Sequence, residues 1–120
     1  MYMPKIVHLV LWKIKPGAPV EKLEKKIRKF KSEIPGILEL YCGPPTFFEF
    51  PSKMAERFRI DFSIRTVAHG FDLVLFIIFT DEKSRINYDT HPAHMELPNY
   101  TESVLQEGKE HVLVVDFIIE

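Results

Sequence analysis

Three stretches of this 120-residue chain are apolar on both of their alternating faces: KIVHLVLWKI (Lys5 to Ile14), FDLVLFIIFT (Phe71 to Thr80) and HVLVVDFIIE (His111 to Glu120). Runs this short, rich in Val, Leu, Ile and Phe, read as strands buried on both sides. In the first, Ile6, His8, Val10 and Trp12 share one face, and Val7, Leu9 and Leu11 the other. Between the strands the period changes. Val20, Leu23, Ile27, Phe30 and Ile34 recur at spacings of three and four, one apolar helix stripe, with Pro19 in the first turn. Glu21 and Lys25, and Glu24 and Arg28, stand at i,i+4 and support that helix. Pro35-Gly36 stops it, and ILELYC forms a further strand. Asp81 suits the N-cap of a short helix running through Ile86 towards Tyr88. Pro98 opens another, with Thr101, Val104 and Leu105 on one side and Gly108 at its end.

The order β-α-β-β-α-β is the ferredoxin-like α+β plan, a four-stranded antiparallel sheet with helices on one face. The other face would ordinarily meet water, and its strands would alternate apolar with polar. Three of the four do not. Nothing else in the chain is suited to cover that face, which predicts a homodimer in which two sheets enclose an apolar chamber. The expected contact face carries Val10, Leu75 and Val114. Residues 1–120 read as one domain with an aromatic-rich insertion at about 44–69.

Composition excludes several classes. The net charge of −1 gives no nucleic-acid footprint. The basic run from Lys22 to Lys31 is interrupted by Glu24 and reads as a solvated helix face. Cys42 is alone, which points to a reducing compartment, and no signal peptide or membrane-length apolar run is present. The expectation is a soluble cytoplasmic protein.

Polar residues inside apolar runs mark the candidate site. His8 lies within the first strand and Asp116 within the last. A buried carboxylate needs a partner, and His8, His91 and His94 are candidates; the alternative is a backbone N–H or solvent at a strand end. His8 also reads as a satisfied core histidine. The segment YDTHPAHMEL, Tyr88 to Leu97, brings two histidines and a tyrosine together. Pro92 breaks helical spacing, and the four N/S ligands of a structural zinc site are not at hand. His91 with Pro92 reads as shaping the turn, and the segment as a whole reads as an acid–base site or as two histidines in an ordinary loop.

Several segments are similar to the stress-responsive A/B barrel family of dimeric α+β barrels: KIVHLVLWKIKPG, IPGILELYCGP, HGFDLVLFIIFTD, YDTHPAHMEL and VLVVDFIIE. The resemblance covers nearly the whole chain except Pro44 to Ala68. The family holds stress proteins with no settled activity and a polyketide cyclase. Likeness to the cyclase implies that His94 and Tyr88 are catalytic, that His8 lines the cavity, and that Asp116 is the last-strand aspartate of the site. It implies a wall including Val10, Trp12, Leu73, Leu75, Ile77 and Val114, with His91 also at the substrate. Aldol closure of a poly-β-keto chain needs a base at a carbon between two carbonyls and a donor at the developing oxyanion. Histidine, with an ordinary pKa of about 6.5, and tyrosine, at about 10, suit those roles, and a carboxylate on the other ring nitrogen would orient the base. His94 is therefore expected as base, Tyr88 as donor and Asp116 as orienter of His94. No metal or redox cofactor is required by this chemistry.

The stretch Pro44 to Gly70 departs from the family. It carries Phe47, Phe48, Phe50, Phe58 and Phe62, and FRIDFSIRT within it alternates like a strand. It reads either as a lid or wall at the chamber mouth or as an edge hairpin or arm on the partner. Three functions stay open: a cofactor-independent cyclase or lyase for a β-polyketo substrate, a non-catalytic stress-responsive barrel, and a carrier of a small apolar molecule.

Overall fold

The computed structural model describes residues 2–46, 48, 51–59 and 68–120. Strand β1 spans Lys5–Trp12, helix α1 Glu21–Glu33, β2 Ile37–Gly43 and α2 Ser52–Phe58. Then follow β3 at Leu73–Phe79, α3 at Glu82–Thr90, two single-turn helices α4 at Pro92–Met95 and α5 at Pro98–Thr101, and β4 at Val112–Ile119. The four strands form one antiparallel sheet in the order β2-β3-β1-β4. This is the expected ferredoxin-like α+β architecture, with helix α2 lying within the described part of the insertion.

The helix stripe does what its spacing requires. Leu23, Ile27, Phe30 and Ile34 are buried against Ile6, Val10, Trp12, Leu73, Leu75, Ile77 and Phe79. Each such side chain stabilises the fold by roughly 1.5–3 kcal/mol of transfer free energy. Gly36 ends the α1 segment at φ +89°, its carbonyl accepts the Thr80 N–H at 2.9 Å, and a Cβ there would collide with Ser84. Only glycine fits. Asp81 caps α3 as expected, its carboxylate accepting the Ser84 N–H at 2.8 Å. Asp81→Ala is expected to lower stability by about 1 kcal/mol, since it orphans that donor. A urea midpoint unchanged from wild type would contradict this.

The sheet's faces are assigned the other way round from the expectation. Val10 and Leu75 do not form a contact face for a second copy; they are buried under α1 within one chain. Alternation says which residues share a face but not which face the helices take, and here the stripe of α1 lands on the Val10 side. Val114 is on that same side, but β4 is the edge strand and leaves it 51% exposed. The open face carries Leu9, Leu11, Val74, Phe76 and Ile78, half-buried, with Leu113, Val115 and Phe117 exposed on β4.

Other differences are smaller. Lys26 is not on the solvated face: it is buried, and its ammonium donates to Glu96 at 2.7 Å, tying α1 to the end of α4. The helix opened by Pro98 ends at Thr101, and Leu105 instead forms a bridge to Ile14. In the insertion, Phe58 closes helix α2 rather than opening a strand. The remainder of FRIDFSIRT, with Phe47, Phe50 and Phe62, lies outside the described residues. Phe48 is 73% exposed. Among the described residues no helix is long and apolar enough to cross a membrane.

Candidate active site

Strand register creates the first half of the site. His8 on β1 stands directly opposite Asp116 on β4, and both point to the helix side. His8 Nδ1–H donates to Asp116 Oδ1 at 2.8 Å. Asp116 is thus the partner of His8, not the orienter of His94. The expectation failed because it followed residue type, whereas cross-strand register decides which imidazole the carboxylate meets.

Helix α3 supplies the second half. Tyr88, three residues after Arg85, turns inward and is 1% exposed. Its ring meets Phe79 at 5.2 Å, His8 at 5.5 Å and Phe30 at 5.9 Å between centroids. The His94 ring lies closer, at 4.3 Å from that of Tyr88 and tilted by 43°. His94 Nδ1 sits 2.9 Å from the Asp89 carbonyl oxygen. A carbonyl only accepts, so Nδ1 carries the proton, and in the neutral ring Nε2 is left with the lone pair. His91 has a different task. Its Nδ1 accepts the Ala93 N–H at 3.0 Å and caps α4, so it shapes the turn that delivers His94.

The proposed wall residues separate into two groups. Val10, Leu73, Leu75 and Ile77 are buried core, while Trp12 and His94 line a cavity of about 280 Å³ with Leu97 and Leu105. Tyr88 is not among that cavity's lining residues; its ring lies against that of His94. A second cleft of about 370 Å³ opens between α3 and β4, with Ile6, Arg85, Asp89 and Asp116 on its walls.

Electrostatics differ among these groups. Burial, and next the Arg85 guanidinium, lower His8 below its ordinary 6.5, outweighing Asp116. Partial burial pushes Asp116 up, but hydrogen bonds from Arg85 and His8 prevail and hold it below the ordinary 3.8. Burial raises the Tyr88 phenol well above 10, so it is a donor at neutral pH. Cys42, pushed up to about 12 by burial, carries no thiolate there. His8 gives a pH prediction. With its folded pKa depressed, its contribution to stability is present above the unfolded value near 6.5 and is lost as pH falls through the lower folded value. Unfolding free energy is expected to fall between pH 7.5 and 5.5 and to fall less in His8→Gln. Equal losses in both proteins would contradict the assignment.

Sequence reasoning missed Arg85 and the Asp89 carbonyl. Arg85 forms an i,i+4 ion pair with Asp89 at 2.7 Å, a spacing visible in the sequence. Its reach across to Asp116 is not visible there, because it depends on how α3 sits over β4.

Comparisons with known proteins extend this picture. The family model for the stress-responsive A/B barrel domain matches residues 53–119, more than half the chain. The chain belongs to the stress-responsive A/B barrel family. The match holds Tyr88, His94 and Asp116 but not His8 on β1. Solved structures resemble nearly the full length of this family member. A dimeric ferredoxin-like protein of unknown function from Jannaschia sp. is 22% identical at TM-score 0.67, covering 96% of this chain and 99% of its own. A hydroxynitrile lyase from Passiflora edulis is 14% identical at TM-score 0.68, covering 99% and 96%. A cofactor-independent oxygenase from Streptomyces nogalater is 11% identical at TM-score 0.60, covering 98% and 94%. At these identities the likeness establishes the fold alone. No curated protein matches.

Proposed function

We propose that this barrel protein is a cofactor-independent acid–base enzyme that closes a ring in a β-polyketo substrate by an aldol step. The observation that carries the proposal is the His94–Tyr88 pair: an imidazole held by the Asp89 carbonyl on the wall of an apolar cavity, its ring centroid 4.3 Å from that of a buried tyrosine. His94 Nε2 removes a proton from a carbon between two carbonyls, and Tyr88 O–H donates to the enolate oxygen. The carbanion attacks a ketone carbon of the same chain, forming the C–C bond. The alkoxide so formed takes its proton back from the imidazolium, and loss of water completes the ring. The low polarity of the cavity strengthens both hydrogen bonds. Two enzymes with this fold, a lyase and a cofactor-independent oxygenase, support a catalytic reading.

The proposal includes a homodimer built on the open sheet face, in a reducing cytoplasmic setting. Apolar side chains on that face and the dimeric state of the similar Jannaschia protein support the dimer. The test is to incubate the protein with a linear poly-β-keto acyl thioester and analyse products by mass and ultraviolet absorbance. The expected result is a carbocycle lighter than the substrate by water, formed faster than in buffer. Products and rates identical to buffer would overturn the enzyme reading, and tight binding without turnover would favour a carrier.

A further inference from the structure

Arg85 touches Asp116, Asp89 and Tyr88. Its Nε–H donates to Asp116 Oδ1 at 2.8 Å and one terminal nitrogen donates to Oδ2 at 3.1 Å, while the other donates to Asp89 Oδ1 at 2.7 Å. The guanidinium carbon lies 5.7 Å from the Tyr88 ring centroid. Two parallel bonds from a planar fork fix a carboxylate in position and orientation, which an ammonium cannot do. Asp116 Oδ1 therefore receives two N–H groups, from Arg85 and from His8.

In a bare aspartate–histidine pair the carboxylate charge favours the imidazolium. Here burial disfavours the imidazolium, and a guanidinium balances the carboxylate charge. We propose that Arg85 is a positioning residue: by gripping both oxygens of Asp116 it fixes that carboxylate as the acceptor for His8 Nδ1–H, so that His8 stands as a neutral imidazole with an unprotonated Nε2 beside Tyr88. His8 and His94 then flank one phenol. One serves as base, and the other is free to accept a hydrogen bond or exchange a proton with the substrate. The charged and titratable groups facing His8 are Asp116 from β4 and Arg85, Tyr88 and Asp89 from α3. Arg85 also holds the Asp89 carboxylate, and the backbone carbonyl of that same residue accepts from His94 Nδ1. The catalytic meaning of this arrangement rests on the acid–base reading above, but its signature on His8 does not.

Ring ¹⁵N spectra of the full chain test it. At pH 7 wild-type His8 is expected to be protonated at Nδ1 and unprotonated at Nε2. In Arg85→Gln its titration midpoint is expected to rise by about one unit or more, the effect of losing one adjacent like charge. Arg85→Lys keeps the charge and is expected to stay nearer wild type. An imidazolium at His8 in wild type at pH 7, or equal midpoints in the Gln and Lys variants, would overturn the proposal. Where Arg85→Gln fails to fold, the wild-type spectrum still reads the outcome that overturns the proposal. A protein without ring-closing activity whose His8 behaves as described would refute the functional reading and leave the Arg85 assignment standing.

Discussion

His94→Ala is expected to lower turnover by about 10²- to 10⁴-fold, the usual loss when a positioned base is removed. The substitution leaves the scaffold in place. His94 is half-buried on the four-residue helix α4, and alanine is the better helix former. The Asp89 carbonyl that loses its donor lies at an exposed residue and can turn to water. Circular dichroism and the urea midpoint should therefore change little while the rate collapses. Tyr88→Phe should give a smaller but clear fall, because the ring contacts with Phe79, Phe30 and the two histidines persist and only the hydroxyl is lost. A His94→Ala protein that retains wild-type turnover would remove the base from the scheme.

Phe117→Asp is expected to convert a dimer to a monomer. Phe117 is 50% exposed on the open face, opposite Val7 across the β1–β4 ladder. Leu113 and Val115 continue the same face along β4, and Leu9, Val74, Phe76 and Ile78 extend it across the sheet. Pressed against an apolar partner, a new carboxylate would lose its water and gain no counter-charge, a cost of several kcal/mol. Since every 1.4 kcal/mol is tenfold in affinity, the dimer should weaken by about 10²-fold or more. Light scattering at micromolar concentration reads the mass directly. A monomeric wild type with a folded circular-dichroism spectrum would refute the interface itself.

Much of this fold was legible because its signals are local. The apolar runs, the stripe from Leu23 to Ile34, the Pro35-Gly36 stop and the Asp81 cap each need only a few neighbouring residues, and each corresponds to an observed element. What failed was non-local. The period of two grouped Val10 with Trp12 but could not say that α1 would cover them, so core residues were expected to form a chamber between subunits. The site divides in the same way. Tyr88 and His94 lie six residues apart on consecutive helices, within one segment whose family resemblance was enough to pair them. Asp116 is 108 residues from His8, and only strand register joins them. Arg85 reaches Asp116 across the space between a helix and a strand, a geometry with no periodic trace in the sequence.

The proposed reaction stands on an unprotonated His94 Nε2 offered to a ligand beside Tyr88. Its most direct test is a ring ¹⁵N spectrum of the wild-type protein at pH 8, recorded while a non-cyclising alkyl 1,3-diketone is titrated in. His94 is expected to be protonated at Nδ1 and bare at Nε2, and its Nε2 resonance is expected to move as the diketone binds. A proton on Nε2 instead, or a His94 resonance that stays fixed while the diketone saturates the protein, would contradict it.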